Sequence, residues 1–252
     1  MATRRVKTAK TKSQATAGAR SASSLLSDTL PVPDPRFGGR IGNTYADSEA
    51  DVISLPAPPA GAPNVLLVLL DDVGFGQTST FGGLANTPTL QRLADEGLRY
   101  NRFHTTALCS PSRAAMLSGR NHHSVHTGVI TEMATGFPGY DGSWPREAAS
   151  IAEILRGNHY STAGFGKWHN TPDHELSAAG PFDRWPTGKG FDYWYGFQGG
   201  EASQWRTPLF ENTVPVEPPH DDSGWHFSEA IAAKAISNST LAPSCCPGIA
   251  LP

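Results

Sequence analysis

The chain has 252 residues, 38% hydrophobic and 17% charged, with a formal charge of −3. That length supports one large α/β domain or two small ones around an apolar core, and the near-neutral balance gives no sign of nucleic acid or an anionic membrane as partner. The longest bulky apolar run, Val65 to Leu70, falls far short of the ~20 residues of a membrane span, and three cysteines without a CxxC pair exclude a disulfide scaffold or a zinc ribbon.

Residues 1–40 carry eight Lys/Arg against two Asp and few bulky apolar side chains. Such a segment cannot bury enough surface to offset its ordering entropy, so it reads as a disordered basic tail. A transit peptide or an anionic-surface tether is the other reading of that composition. Leu25-Leu26 is too short for the apolar core of a secretory signal, which makes the cytoplasm the expected location. Residues 41–62 end in Leu-Pro-Ala-Pro-Pro-Ala-Gly-Ala-Pro and read as a Pro-rich linker or arm.

The run from Asn64 to Leu70 is short, unbroken and rich in Val and Leu, and it ends at Asp71-Asp72. This is the pattern of a central strand buried on both faces of a parallel sheet. Thr87 as cap, Pro88 at the first position and Gly97 as stop predict a helix between them. Leu98 to Thr105 alternates as a second strand. Pro111 to Leu117 suits a helix ended by Gly119. Glu147 to Arg156 suits another, with Ile151, Ile154 and Leu155 on one face and Gly157 as terminator. Tyr160 to Phe165 reads as a third strand leading into Gly166-Lys167-Trp168-His169. Residues 170–225 are aromatic and rich in Gly and Pro, with little periodicity, and predict loops at a pocket mouth. Phe227 to Ile236 reads as a helix. This succession with short connections is an α/β layout.

Ligands in open α/β sheets sit beyond the carboxyl ends of strands, which is where Asp71-Asp72 falls. Neighbouring strand residues face opposite ways, so both carboxylates reach one ion only if the chain bends there. Two hard oxygen ligands suit Ca²⁺ or Mg²⁺; an exposed turn or helix cap explains the pair equally well. Pro111 and the small residues beside it can open a helix, which places Cys109 near positive backbone N–H groups with Arg113 one turn on. That is the setting of an activated thiolate, and an inert buried cysteine is the competing reading. His122 and His126 have His-x-x-x-His spacing, with His123 between them, but no carboxylate stands at a supporting offset. They read as structural or substrate-facing. Trp185, Trp194, Tyr195 and Trp205 could line an aromatic acceptor pocket or anchor loops.

The string Cys109-Ser-Pro-Ser-Arg113-Ala-Ala-Met-Leu117-Ser118-Gly119-Arg120 resembles the sulfatase signature at every fixed position. Asn64 to Gly74 upstream and Gly166-Lys167-Trp168-His169 downstream follow the same family order. Lys167 to Asp173 and Gly180 to Pro186 are similar to bacterial arylsulfatases. The matching portion is 63–237. The resemblance implies the α/β, alkaline-phosphatase-like sandwich with a mainly parallel central sheet. It implies a sulfuric ester hydrolase acting on a small-molecule sulfate ester. Cys109 is then the residue that a formylglycine-generating enzyme oxidises to the aldehyde, whose hydrate attacks sulfur. Asp71, Asp72 and the modified Cys109 are implied ligands of one Ca²⁺, with Mg²⁺ as the alternative. Arg113 holds the hydrate, Lys167 sits near it and the sulfate, and His169 helps reverse the addition.

Family members are much longer and supply a later Asp-Asn pair, a Lys and a His, and no matching segment follows Ile236. Residues 238–252 read as an irregular tail outside the family pattern. The expectation is therefore a C-terminally truncated domain with a half-built metal site and impaired activity. An inactive fragment serving as a binding module is the alternative. A phosphatase or phosphodiesterase of the same superfamily ranks lower, because those place Ser or Thr where Cys109 stands.

Overall fold

The computed structural model describes residues 37–51, 57–219 and 224–241. Residues 1–36 of the predicted tail (1–40) and the stretch 242–252 lie outside the described residues, as do 52–56 within the predicted arm; the tail's last residues, 37–40, are described, and Arg40 pairs with Glu49. The chain divides into two compact units, 1–57 and 58–252. In the first, Arg40 and Glu49 exchange backbone hydrogen bonds across a turn in which the Ser48 hydroxyl donates to the Thr44 carbonyl.

Among its described residues the second unit carries four α-helices, α1 (Pro88–Glu96), α2 (Cys109–Ser118), α3 (Ile151–Gly157) and α4 (Phe227–Leu241). It also carries four strands, β1 (Ala163–Lys167), β2 (Tyr193–Phe197), β3 (Leu209–Glu211) and β4 (Val214–Val216), in that spatial order. β1 and β2 run parallel, whereas β2–β3 and β3–β4 are antiparallel. The α/β class holds, with a mixed sheet among the described strands. No described helix is long and apolar enough to cross a membrane.

Helix ends follow their sequence signals. α1 starts after Thr87 with Pro88 in its first turn and stops at Gly97. α2 stops at Gly119, whose φ of 64° lets its N–H close on the Ala115 carbonyl. α3 begins later than expected, because Ser150 and Glu153 form a reciprocal capping box that fixes the start at Ile151. It buries Ala152 and leaves Ile151 and Ile154 largely in solvent, against the apolar face expected of it. α4 continues through Leu241, past the point where an irregular tail was expected.

The core is largely aromatic, and Trp185, Trp194, Tyr195, Phe197 and Leu209 in it come from the segment expected to be loops. Trp144, Trp168, Trp185 and Trp194 pack with Ala114, Leu117 and Val125 in one cluster. Tyr195, Phe197, Leu209 and Phe227 form a second where α4 crosses the sheet. Phe182, Trp194 and Phe210 all ring Trp185 edge-on or nearly so, an arrangement that aromatic quadrupoles favour. Trp185, Trp194 and Tyr195 are therefore core rather than pocket wall, and Trp205 alone of that group stays exposed. The hidden strands 193–216 carry Gly196, where a Cβ would stand 1.9 Å from the Gly166 carbonyl oxygen. Glycine there is what allows β1 and β2 to pair so closely.

The N-terminal third of this unit departs from expectation. Val65 to Leu70 is not a strand, and its six side chains are 43–88% exposed. Leu98 to Thr105 is likewise irregular, with Leu98, Tyr100 and Phe103 exposed. A doubly buried strand needs a neighbour on each edge and a layer on each face. Among the described residues β1 pairs only with β2, and α1 buries no residue, so nothing provides those partners. The difference is measurable in stability. Trp185→Ala is expected to cost about 3–5 kcal/mol and Leu66→Ser to stay within about 0.5 kcal/mol, read from urea midpoints. A large loss on Leu66→Ser would restore the buried-strand reading.

Candidate functional site

Three of the residues expected at the site meet at the carboxyl end of β1. Arg113, one turn into α2, donates from Nη1 to the Lys167 carbonyl at 2.6 Å and from Nη2 to Asp71 Oδ1 at 3.0 Å. Lys167 Nζ lies 3.0 and 3.3 Å from the two Asp71 oxygens. Burial works to raise the Asp71 carboxyl, but hydrogen bonds from Lys167 and Arg113 outweigh it and hold the group below its ordinary value. Arg113 Nε is buried without a partner in the protein.

The backbone turns at Asp72 itself, whose φ is 53°. Cys109 is the first residue of α2 and a free, half-buried thiol. Its neighbour Ser110 is fully buried and accepts from the Thr131 backbone N–H at 3.4 Å, tying the start of α2 to the short 3-10 turn Thr131–Met133.

That turn supplies a residue that the sequence did not flag. Glu132 places its carboxylate 2.7 and 2.9 Å from His169 Nε2. His169 is buried with a left-handed backbone, φ 55°, while its N–H donates to the Gln198 carbonyl beyond β2. Non-glycine residues in that region carry strain and cluster at functional sites. Burial lowers the imidazole below its ordinary value, Lys167 and Arg113 push the same way, and Glu132 opposes them without prevailing. Burial works to raise the Glu132 carboxyl, but hydrogen bonds from His169, its own backbone N–H and Thr131, with the attraction of His169, together hold it below its ordinary value. Nothing in the spacing of Ile130-Thr-Glu-Met pairs Glu132 with a histidine 37 positions on.

Two members of the histidine cluster have partners within the fold. His126 Nδ1 lies 3.1 Å from the Asp141 carboxylate, and His123 Nε2 lies 3.1 Å from the Tyr140 hydroxyl. The carboxylate missing at helical offsets stands 15 residues away in sequence and comes back through a turn.

The donor set does not fit a divalent metal as it stands. Among the described residues no group of three or more His, Cys, Asp or Glu side chains is placed to hold one. Asp71 has both oxygens turned to cations. Two carboxylates fall short of the six to eight oxygens that Ca²⁺ takes.

A domain model described as Sulfatase matches residues 63–241. The chain belongs to the sulfatase family. It is similar to arylsulfatase D of Homo sapiens, 32% identical over 180 residues, which is 68% of this chain and 28% of that protein. It is also similar to an arylsulfatase of Klebsiella aerogenes, 30% identical over 156 residues, which is 61% of this chain and 31% of that one. The chain thus spans less than a third of these relatives. Its fold is shared with the crystal structure of Ps i-CgsB, with a TM-score of 0.50 and 24% identity over 68% of this chain and 39% of that one.

The buried imidazole makes the pH dependence predictable. His169 titrates below 6.5 in the native state and near 6.5 when unfolded, so the unfolded chain binds the extra proton first as pH falls. Stability is therefore fully present above that ordinary value and lost as pH drops through the lower, native one. Glu132 and Asp71 extend the loss to more acidic pH by the same sign. Urea midpoints should fall between about pH 7.5 and about pH 5.5, and His169→Gln should flatten that interval. An equally steep fall in the variant would remove His169 as the cause.

Proposed function

We propose that this chain carries the nucleophile portion of a sulfuric ester hydrolase site of arylsulfatase type, acting on a small-molecule sulfate ester. The observation that supports it is the convergence of two cations, Arg113 and Lys167, on one anion position at the end of β1. Cys109, four residues before Arg113, heads the same helix within a complete family signature.

Cys109 is proposed as the residue that a formylglycine-generating enzyme converts. One oxygen of the aldehyde hydrate so formed attacks sulfur as the ester S–O bond breaks and the alcohol leaves with a proton; the second hydroxyl then loses its proton as the carbon–oxygen bond to sulfate breaks, which expels sulfate and returns the aldehyde. Arg113 and Lys167 hold the sulfate and the hydrate by charge-assisted hydrogen bonds. His169, neutral at pH 7, accepts the proton of the second hydroxyl. Asp71, Asp72 and the modified Cys109 are the proposed positions for a divalent ion, Ca²⁺ or Mg²⁺. No step is routed through it, because the donor set described above does not enclose one.

That same shortfall leads us to expect slow turnover. Electrostatic catalysis depends on groups fixed before reaction, and removing one such group costs about 100- to 1000-fold. A binding role in place of catalysis is the alternative that this observation favours. The test coexpresses the chain with a formylglycine-generating enzyme and measures the tryptic peptide carrying Cys109, then aryl sulfate and aryl phosphate hydrolysis with excess Ca²⁺. The expected result is conversion to the aldehyde and weak sulfate cleavage that Cys109→Ala abolishes. Unconverted Cys109, or phosphate esters cleaved in preference to sulfate esters, would overturn the proposal.

A further inference from the structure

We propose that Glu132 is the positioning residue of His169. It fixes the imidazole with its proton on Nε2 and leaves Nδ1 as a bare acceptor. This deepens the sulfate ester reading, on which the use of His169 as a proton acceptor rests.

The argument is one of donors and acceptors. An ionised carboxylate can only accept, so a ring nitrogen 2.7 Å from Glu132 Oε2 and 2.9 Å from Oε1 must carry the hydrogen. A neutral imidazole has one N–H, and Nε2 takes it. The other nitrogen, Nδ1, is buried without a partner in the protein, on a side chain only 2% exposed. Doubly protonated His169 would bury an unsatisfied Nδ1–H beside two existing cations, Lys167 and Arg113, which disfavours it. Of the charged groups acting on this ring, Glu132 alone is negative.

The carboxylate is itself held. The Gly200 backbone N–H donates to Glu132 Oε1 at 3.1 Å, and the Thr131 hydroxyl donates to Oε2 at 3.2 Å. Gly200 is also the residue that lets the pair meet. A Cβ there would stand 2.8 Å from Glu132 Oε1 and 2.9 Å from His169 Cε1. Three separate segments, the Thr131 turn, the end of β1 and the loop after β2, are thus shaped around one hydrogen bond.

This arrangement specifies what a substitution does. In Glu132→Gln the Gly200 N–H still requires an oxygen at the Oε1 position. The amide NH₂ then occupies the Oε2 position and faces His169 Nε2. It donates where the carboxylate accepted, and the imidazole moves its proton to Nδ1. Loss of the negative charge also lowers the pH at which His169 takes a second proton.

The experiment is NMR on the whole chain with ring-¹⁵N histidine, His169 being assigned by its loss in His169→Gln. The expected result is an Nε2–H signal for His169 in the native protein. Glu132→Gln should give an Nδ1–H signal and a downward shift of the His169 midpoint. Gly200→Ala, which pushes the carboxylate away without changing charge, should give mixed tautomers. An Nδ1–H tautomer in the native protein overturns the proposal even if neither variant folds. So does a Glu132→Gln spectrum with tautomer and midpoint unchanged. The readout is a ring-nitrogen shift, so unconverted Cys109 or absent sulfate hydrolysis would defeat the functional reading and leave this result intact.

Discussion

The guanidinium of Arg113 is the contact on which the site depends. It is buried, it sits one turn into α2, and it spans from the Asp71 carboxylate to the last backbone carbonyl of β1. A buried cation without a partner is strongly destabilising, so the fold must bring an anion and an acceptor to it. Doing so draws together three stretches that are far apart in sequence. The segment ending in Asp71 contributes little buried surface of its own, since Val65 to Leu70 lies open to solvent. Its end is nevertheless fixed, and the fixing is electrostatic rather than hydrophobic. The planar fork matters here, because an ammonium could not address the carboxylate and the carbonyl with the same directionality.

Around that contact the aromatic core acts as a rigid support. α2 packs Ala114 and Leu117 against Trp185 and Trp194, which fixes the helix that carries Cys109 and Arg113. β1 is fixed by its close parallel pairing with β2, whose own position is set by Tyr195 and Phe197 against Phe227 of α4. Lys167 and Trp168 are then carried out of the sheet with a continuing bond from the Trp168 N–H to the Phe197 carbonyl. His169 follows in a left-handed backbone that such anchoring can sustain. The sequence Gly-Lys-Trp-His is thus read by the fold as four different tasks: close approach, charge, core packing and a buried hydrogen bond to Glu132.

Local signals were legible where the physics is local. Thr87-Pro88 and Gly97 bound α1, and Gly119 ends α2, because caps and left-handed stops are decided by a few residues. The site residues Asp71, Arg113 and Lys167 were legible as members of a pattern, and they do meet. What the sequence hid is nonlocal. β2 to β4 carry Gly196 and Pro215 and are only three to five residues long, so no alternation rises above the loop composition around them. Glu132 and Asp141 pair with histidines brought near by turns, at offsets that no helical or strand period contains. The Val65 to Leu70 run failed in the opposite direction. Its composition speaks for a buried strand, yet burial is a property of partners, and the described residues provide none for it.

Charge accounting joins these observations. Arg113, Lys167 and Asp71 form a partly buried cluster with one net positive charge at the end of β1. Just behind it the neutral His169 and ionised Glu132 form a separate, singly negative pair. The division keeps the two charge clusters apart. If His169 were charged, it would add a third cation and repel the pair that holds an anion; burial and those same cations keep it neutral. If Asp71 lacked its partners, its carboxylate would oppose any anion brought to the site; paired, its field is cancelled at short range. Under the proposed reading, an anion brought to the end of β1 meets two cations already held by one carboxylate, with the Glu132–His169 pair as a separate unit beside them.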